Sequence, residues 1–176
     1  MGSKTATIYK IVKYGDPVLE TPAQPVTEFG TDELRDLVES MFETMYAGKG
    51  LGLAAPQIAI SQRIAVIDPS AGEDPSARVV LINPVILDKQ GKQFGEEGCL
   101  SIPGFREDVS RAMKVRVRAQ DVNGEFFERE AEELLARAMQ HEIDHLDGIL
   151  FISHISMLKR DLIKRKIRKL AKANEW

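Results

Sequence analysis

The sequence is poor in cysteine and in long apolar runs, and each scarcity excludes a class of protein. Cys99 is the only cysteine in 176 residues, so no intrachain disulfide can form and a disulfide-stapled secreted domain is excluded. The longest apolar runs, such as residues 149–152, are too short to cross a bilayer. Residues 1–6 lack the apolar stretch of a signal peptide. The sequence therefore predicts a cytoplasmic protein without a membrane partner.

The composition is that of a globular protein, with 43% hydrophobic and 29% charged residues. The length suits one domain, so we expect residues 1–176 to form a single domain. The net charge of −3 conceals an asymmetry, because residues 155–176 carry +6 and the remainder carries −9. The basic segment has two interpretations, a solvated helix face or a surface that docks on a polyanion. DNA is not among the expected partners.

Three segments have the apolar spacing of α-helices. The first follows the cap residue Thr31 and ends at Gly48. The second runs from about residue 132 to 146. The third, the basic helix, covers roughly residues 156–173, and its predicted apolar face consists of Leu158, Leu162, Ile163, Ile167 and Leu170.

Short β-type runs predict strands at residues 63–67, 79–82 and 114–118. Asn123-Gly124 predicts a hairpin turn after the last of them. Residues 50–57 predict a glycine-rich turn, and no Lys-Ser/Thr follows it, which excludes a phosphate-binding P-loop. Hairpins and separate helices together favour an α+β fold, in which mixed, mainly antiparallel sheets pack around a buried central helix, the second one.

That second helix contains an H-E-x-x-H arrangement, His141-Glu142-Ile143-Asp144-His145. Each residue of an α-helix advances by about 100°, so the two histidines lie about 40° apart and one turn along the axis. Both imidazoles can therefore bind one metal ion. Glu142 projects beside the ion, where its carboxylate can accept a hydrogen bond from a water and act in acid–base catalysis.

The alternative is a hydrogen-bonded patch in the core, which is the usual environment of a single histidine on an apolar face. Two histidines at ligand spacing around a glutamate favour metal, because burial without partners would cost several kcal/mol. His154 lies beyond the helix and is predicted to be a surface or structural residue. A catalytic ion needs a third protein ligand, for which downstream acids, His154 and Cys99 are candidates. Cys99 follows Gly98 in a predicted turn, where glycine gives the backbone freedom.

Three segments together resemble the signature motifs of peptide deformylases. They are residues 50–57 (GLGLAAPQ), residues 97–101 (EGCLS) and residues 140–145 (QHEIDH). They stand in the order of that family, and the resemblance extends over most of the chain. H-E-x-x-H alone is shared with many metalloproteases, so the specificity comes from the combination.

The resemblance implies a metal-dependent hydrolase that releases formate from the N-formylmethionine of newly synthesised polypeptides. It implies Cys99, His141 and His145 as the metal ligands and Glu142 as the catalytic acid and base. It also implies one Fe²⁺ per chain as the physiological ion, with Zn²⁺, Ni²⁺ or Co²⁺ as substitutes. Imidazole and thiolate accept all four ions.

Further residues are expected at the substrate. The side chain of Gln57 and the backbone N–H of Leu100 would donate hydrogen bonds to the formyl oxygen. Gly52 would let the substrate backbone approach closely, and Gly98 would also lie at the substrate. Candidate walls of the pocket are Leu51, Gly95, Phe105, Leu134, Arg137 and Ala138. For the basic helix, the resemblance suggests ribosomal RNA as the polyanion.

Two other functions compete with this hypothesis. One is an H-E-x-x-H peptidase that cleaves unmodified peptide bonds, although such enzymes generally take their third ligand from downstream of the motif. The other is a non-enzymatic metal-binding module, in which Glu142 would have no task. Formate release from formyl-Met-Ala-Ser, compared with cleavage of unformylated peptides with and without a chelator, separates the three.

Overall fold

The computed structural model describes residues 6–176. Residues 1–5, on which part of the expectation of no signal peptide rests, lie outside this range. The α-helices are α1 (Asp32–Ala47), α2 (Glu133–Leu146) and α3 (Met157–Lys172). The strands are β1 (Gly52–Ala54), β2 (Ile64–Ile67), β3 (Val79–Gln90), β4 (Gln93–Cys99), β5 (Ile102–Arg111), β6 (Lys114–Gln120) and β7 (Phe126–Glu132). Short 3₁₀ helices lie at Pro17–Glu20, Ala55–Ile58, Pro75–Ala77 and Phe151–His154.

The strands form two separate sheets. The larger has the order β1-β2-β3-β6-β7, and the smaller is the hairpin of β4 and β5. Every pair of neighbouring strands in both sheets is antiparallel. The prediction of an α+β protein with antiparallel sheets and three helices is therefore confirmed. Among the described residues, no helix is long and apolar enough to span a membrane.

Strand β2 lies at the centre of the larger sheet's core, and all four of its residues are fully buried. Successive side chains of a strand point to opposite faces. Ile64 and Val66 accordingly pack with α1, whereas Ala65 and Ile67 pack with α2. The two helices thus cover opposite faces of this part of the sheet. A third cluster joins α3, through Ile163 and other residues, to the β4–β5 hairpin.

The predicted helices are confirmed at both ends. The Thr31 hydroxyl accepts a hydrogen bond from the amide of Leu34 and caps α1. The basic helix α3 begins after Ser156, whose hydroxyl caps it in the same way. Its predicted apolar face was too wide, however, because Leu158 is 72% and Leu162 is 44% exposed. Only Ile163 and Ile167 are buried, since α3 contacts the hairpin along a narrow stripe.

The predicted strands were shorter and fewer than those of the structure. Residues 50–57 were predicted to be a turn but form β1 and a 3₁₀ helix. The strand predicted at residues 79–82 continues to Gln90, because its charged second half pairs with β6. For the β4–β5 hairpin, the sequence predicted only a turn between strands around Cys99, without the bounds of either strand. Its glycines and charged residues carry little of the apolar alternation on which strand prediction depends.

Asn83 interrupts β3 with a left-handed backbone conformation, which residues other than glycine rarely adopt. Its φ is +51°, and the register of β3 against β6 shifts beside it. The side-chain Oδ1 accepts a hydrogen bond from the amide of Val26 at 2.9 Å. Its Nδ2 donates to the carbonyl of Val26 at 2.9 Å and to Gln120 Oε1 at 2.8 Å. Asn83 therefore attaches the segment before α1 to the sheet.

We expect Asn83→Ala to lower the free energy of unfolding by about 3 kcal/mol. The substitution leaves the backbone N–H and C=O of Val26 without their hydrogen-bond partners, and it places alanine in the left-handed region of backbone conformation. Chemical denaturation of the two proteins measures the difference. Asn83→Gly is the control, because glycine accepts the same φ and should cost less than alanine. Equal stability of wild type and Asn83→Ala would contradict the anchoring role.

Candidate metal centre

Two elements that are distant in the chain bring a thiol and two imidazoles together. Cys99 ends β4, and His141 and His145 lie one turn apart on α2. Their ligand atoms all lie within 4.8 Å of one another. Nε2 of His145 is 3.3 Å from the Cys99 sulfur and 3.2 Å from Nε2 of His141. His145 is 1% exposed, whereas Cys99 and His141 are only partly buried.

The cluster fits a single metal ion. Separations of 3.2 and 3.3 Å are those expected between neighbouring ligands when each bond to a shared ion is about 2.0–2.3 Å. One thiolate and two imidazoles suit zinc or another first-row transition metal. Glu142 Oε2, buried next to the cluster, has no hydrogen-bond partner in the described part of the chain. A buried carboxylate oxygen without a partner indicates a place for a further polar group.

Glu97 orients the first histidine. This residue of β4 is 5% exposed, and its Oε1 lies 2.9 Å from Nδ1 of His141. Such a bond fixes the ring so that Nε2 faces the cluster. Arg111 donates two hydrogen bonds to the same carboxylate, each of 2.9 Å, and Arg137 donates a third of 2.6 Å. Burial alone would raise the pKa of Glu97, but the hydrogen bonds and charges of Arg111 and His141 hold it well below its ordinary value.

The two histidines have opposite electrostatic environments. Burial lowers the pKa of His141, but hydrogen bonds with Cys99 and Glu97 more than compensate and raise it to about 10. Burial and the neighbouring His141 lower the pKa of His145 well below its usual value. The two rings, one turn apart on the same helix, therefore differ in their affinity for a proton.

The network around Glu97 continues to the protein surface. Arg111 also donates to Asp144 Oδ2 at 2.6 Å, and that oxygen accepts a 2.7 Å hydrogen bond from His154. Because of these two partners, the pKa of Asp144 is lowered although burial opposes the shift. His154 is exposed and structural, as predicted, and is not a member of the metal cluster.

Glu142 lies on the cavity side of the cluster. Its Oε1 is 3.8 Å from Nε2 of His141, its side chain is 4% exposed, and burial raises its pKa to about 7. Gly52 of β1 packs directly against this carboxyl group. A Cβ at Gly52 would lie 3.0 Å from three atoms of the Glu142 side chain, closer than real Cβ contacts normally come. The structure thus gives Gly52 a reason to be glycine that does not involve the substrate.

The amide group of Gln57 is held in one orientation. Its Oε1 accepts a hydrogen bond from the backbone of Ala54 at 3.0 Å, which directs Nε2 toward the cluster. Nε2 then lies 3.2 Å from the Ser101 hydroxyl and 3.5 Å from the Cys99 sulfur. Gln57 is 1% exposed and lines the cavity. Its N–H groups therefore donate toward the Ser101 hydroxyl and the Cys99 sulfur, directly beside the metal ligands.

Leu100 follows Cys99 at the tip of the β4–β5 hairpin, and its side chain packs closely against Gly48 and Gly50. A Cβ at Gly50 would lie 2.8 Å from Leu100 Cδ1, and one at Gly48 would lie 3.2 Å from the same atom. The end of α1 and the start of β1 can therefore approach the hairpin only without side chains there. This contact brings the first signature segment against the second.

A cavity of about 650 Å³ opens beside the cluster. Of the predicted site residues, its lining includes Cys99, His141, Glu142, Gln57 and Leu100, together with both Gly52 and Gly98. The predicted walls Leu51, Phe105, Leu134, Arg137 and Ala138 also line it.

Two predictions about glycines were wrong in detail. Gly95 does not line the cavity; it packs beneath the guanidinium group of Arg137. Gly98 does not have a positive φ, so backbone freedom is not the reason for glycine at this position. A Cβ there would meet the Arg106 side chain at 2.8 Å. Gly98 is therefore a close-packing position at the edge of the cavity.

Sequence reasoning assigned no role to Glu97, Arg111 or Ser101, all three of which are buried beside the ligands. Glu97 and Ser101 lie inside residues 97–101, one of the three signature segments. Nothing in the sequence around Glu97, which stands between Glu96 and Gly98, indicated that its side chain is buried. Arg111 lies outside every motif. Only the alternation of β5, in which Val109 and Arg111 share the buried face, carried a signal.

Comparisons with known proteins agree with this geometry. A family model described as polypeptide deformylase matches residues 8–161. A peptide deformylase from Acidobacterium capsulatum is 63% identical over 169 residues, which is 96% of this chain and 99% of that protein. A crystal structure of a peptide deformylase from Legionella pneumophila has a TM-score of 0.87 at 43% identity and covers 96% of this chain and 98% of its own.

A second solved structure contains a ligand. It is the peptide deformylase from Synechococcus elongatus in complex with actinonin, with a TM-score of 0.85 and 40% identity. The match covers 93% of this chain and 90% of that chain. The likeness therefore extends over nearly the whole length of both.

We expect Gly52→Ala to reduce kcat by about tenfold to a hundredfold, because the added methyl group displaces the carboxyl group of Glu142. Metal content should be unchanged, because the atoms nearest to the added methyl group belong to Glu142 and not to Cys99, His141 or His145. Formate release and metal content of the two proteins test this. A variant with unchanged kcat would show that Glu142 tolerates displacement or is not required.

Proposed function

The chain belongs to the polypeptide deformylase family and removes the N-terminal formyl group from nascent polypeptides, and on this premise we propose that Cys99, His141 and His145 hold its metal ion. The convergence of these three ligands beside a cavity is the observation that supports the proposal. Helix α2 is then the central helix that carries the H-E-x-x-H motif. Residues 1–176 would form one catalytic domain, which works in the cytoplasm, where nascent chains emerge.

The ion we propose is Fe²⁺, one per chain, with Zn²⁺, Ni²⁺ or Co²⁺ as substitutes. One thiolate and two imidazoles leave a fourth position open, as in catalytic rather than structural sites. When bound, the ion supplies the Lewis acidity that polarises a carbonyl group and activates water at neutral pH. A low-valent ion beside a thiolate also makes the site sensitive to oxygen.

Glu142 is the group we propose for proton transfer. Deformylation is amide hydrolysis, in which water adds to the formyl carbon and the bond from that carbon to the methionine nitrogen breaks. Glu142 accepts the proton of the attacking water and passes it to the departing nitrogen, so that formate and a free amine result. Its unpartnered Oε2 and its place beside His141 leave the carboxylate available for this transfer.

Gln57 and Leu100 would stabilise the oxygen of the formyl group as negative charge develops on it. The amide of Gln57 cannot rotate away without losing its bond to Ala54, so its donors are preorganised. The backbone N–H of Leu100 would supply the second donor. Losing one such donor typically costs about 2.7–4 kcal/mol of transition-state stabilisation.

The substrate backbone would extend along the edge of the larger sheet. Strand β1 is an edge strand, and the cavity lies along residues 50–52. An extended peptide can add to such an edge through main-chain hydrogen bonds. Apolar cavity walls, including Leu134, would accommodate the methionine side chain. We expect actinonin to occupy the same cavity, as the complex of the Synechococcus elongatus relative suggests.

We expect Glu142→Gln to lose at least about a hundredfold in formate release from formyl-Met-Ala-Ser, because general acid–base catalysis contributes about that much or more. Metal content should equal that of wild type. Glu128→Gln, a conservative change on the exposed face of β7, is the control and should retain activity. Full turnover by the Glu142 variant at wild-type metal content would remove this residue from its role.

We expect Cys99→Ser to weaken metal retention, since an alcohol is a poorer ligand than a thiolate for these ions. Elemental analysis after dialysis against a chelator measures the loss. Ser101→Ala, a buried change two residues away that leaves the three ligands intact, is the control for disturbance of the hairpin. Identical metal stoichiometry in wild type and Cys99→Ser would contradict ligation by the sulfur.

The basic helix α3 would bring the enzyme to the ribosome. Arg165, Arg168, Lys169 and Lys172 are exposed and lie on the side of α3 opposite the buried Ile163. A row of cations on one helix face suits the phosphate backbone of ribosomal RNA. The partly exposed Leu158 and Leu162 would add apolar contacts.

We expect Arg165→Glu/Lys169→Glu to reduce co-sedimentation with ribosomes at low salt, while formate release from a short peptide is unchanged. Lys89→Glu/Lys92→Glu, which reverses two exposed charges at the β3–β4 turn, controls for net charge. Equal co-sedimentation of the two variants would show that α3 is not the docking surface.

A further inference from the structure

The chain reverses direction after α3 through a defined turn. Asn174 has a φ of +56°, a conformation that asparagine adopts more readily than most residues. The amide of Glu175 donates to the carbonyl of Leu170 at 2.8 Å, and the amide of Asn174 donates to Ala171 at 3.2 Å. This pair of bonds is the Schellman arrangement of a helix C-terminus. It turns Trp176 back toward the body of the protein.

Trp176 then contacts two segments that border the site. Its ring meets Phe105 edge-on, with centroids 6.2 Å apart and an interplanar angle of 60°. Its indole Nε1 donates a 2.9 Å hydrogen bond to the carbonyl of Tyr14. The ammonium group of Lys13 lies 5.8 Å from the ring centroid. The side chain is thus held by packing, by a directed hydrogen bond and by a nearby cation.

Both segments lead directly to the catalytic cavity. Phe105 is one of its walls. The amide of Tyr14 donates to the carbonyl of Ser101 at 2.8 Å, and the amide of Val12 donates to the carbonyl of Gln57 at 2.8 Å. Residues 12–14 therefore form a strap across the backbones that carry Gln57 and Ser101. Trp176 links this strap to Phe105, through its hydrogen bond to Tyr14 and its ring contact with Phe105.

We propose that Trp176 is a positioning residue for the substrate, because it holds Phe105 in the cavity wall and ties that wall to the strap of residues 12–14. The inference rests on the proposed use of the cavity as the substrate site. The directed contacts of Trp176 are with Phe105, Tyr14 and Lys13, so it contributes to substrate binding and not to the chemical step. The half-buried Phe105 packs against the third core cluster, and Trp176 packs against the same cluster.

The test compares steady-state kinetics of wild type, Trp176→Ala and Trp176→Phe with formyl-Met-Ala-Ser. We expect Trp176→Ala to raise KM by about two- to twelvefold, the ratio that corresponds to the energy of one aromatic pair, with kcat unchanged. Trp176→Phe retains a ring against Phe105 and should recover most of the loss. Met157→Ala, an apolar change at a 68% exposed position of α3, is the control and should leave KM unchanged.

A double-mutant cycle with Phe105→Ala shows whether Trp176 acts through that residue. The KM of the double variant should be close to that of Phe105→Ala alone. Additive effects, or an unchanged KM in Trp176→Ala, would overturn the proposal. A purely structural role would lower the melting temperature without this KM pattern. The Kd for actinonin should follow the same pattern, and a wild type that binds actinonin but releases no formate would contradict the proposed function without affecting this test.

Discussion

The carboxylate of Glu97 is the contact on which the geometry of the site depends. It lies at the boundary between the β4–β5 hairpin and α2, and it binds His141 on one side and two guanidinium groups on the other. Removing a carboxylate from water is costly unless charges and hydrogen bonds replace the hydration. Arg111 and Arg137 supply both, and Asp144 balances the second positive charge. The two carboxylates and the two guanidinium groups balance in charge, so they can remain buried together and keep the ring of His141 in one orientation.

Local features of the fold were predictable from the sequence, and long-range ones were not. Both ends of α1, the C-terminal end of α2 and the hairpin at residues 121–126 follow from caps, glycines and turn residues that act over a few positions. The register of β4 with β5 depends on pairs such as Glu96 with Asp108 and Gly98 with Arg106, and β4 itself shows no apolar period of two. The exposure of Leu158 depends on how α3 lies on the hairpin, which its own amphipathic pattern does not specify.

The same distinction holds at the site. The spacing of His141 and His145 on one helix is a local property, and it placed both imidazoles correctly. Cys99 could be identified only because its segment resembled a known family, since the reasoning from spacing left several third ligands open. The contacts of Gly50 with Leu100 and of Gly52 with Glu142 are tertiary. In each case the glycine removes an obstacle between two elements, and a sequence pattern cannot show which elements will meet.

The position of Cys99 on the smaller sheet has a mechanical consequence. The imidazoles belong to a helix that packs against the larger sheet, so an ion shared by all three proposed ligands would cross-link the two layers. Binding energy at such a cross-link adds to the energy of folding, because the unfolded chain does not hold the three ligands together. Loss of the ion would therefore abolish activity and also lower the stability of the fold, since the hairpin and the helix would lose a link beneath the cavity.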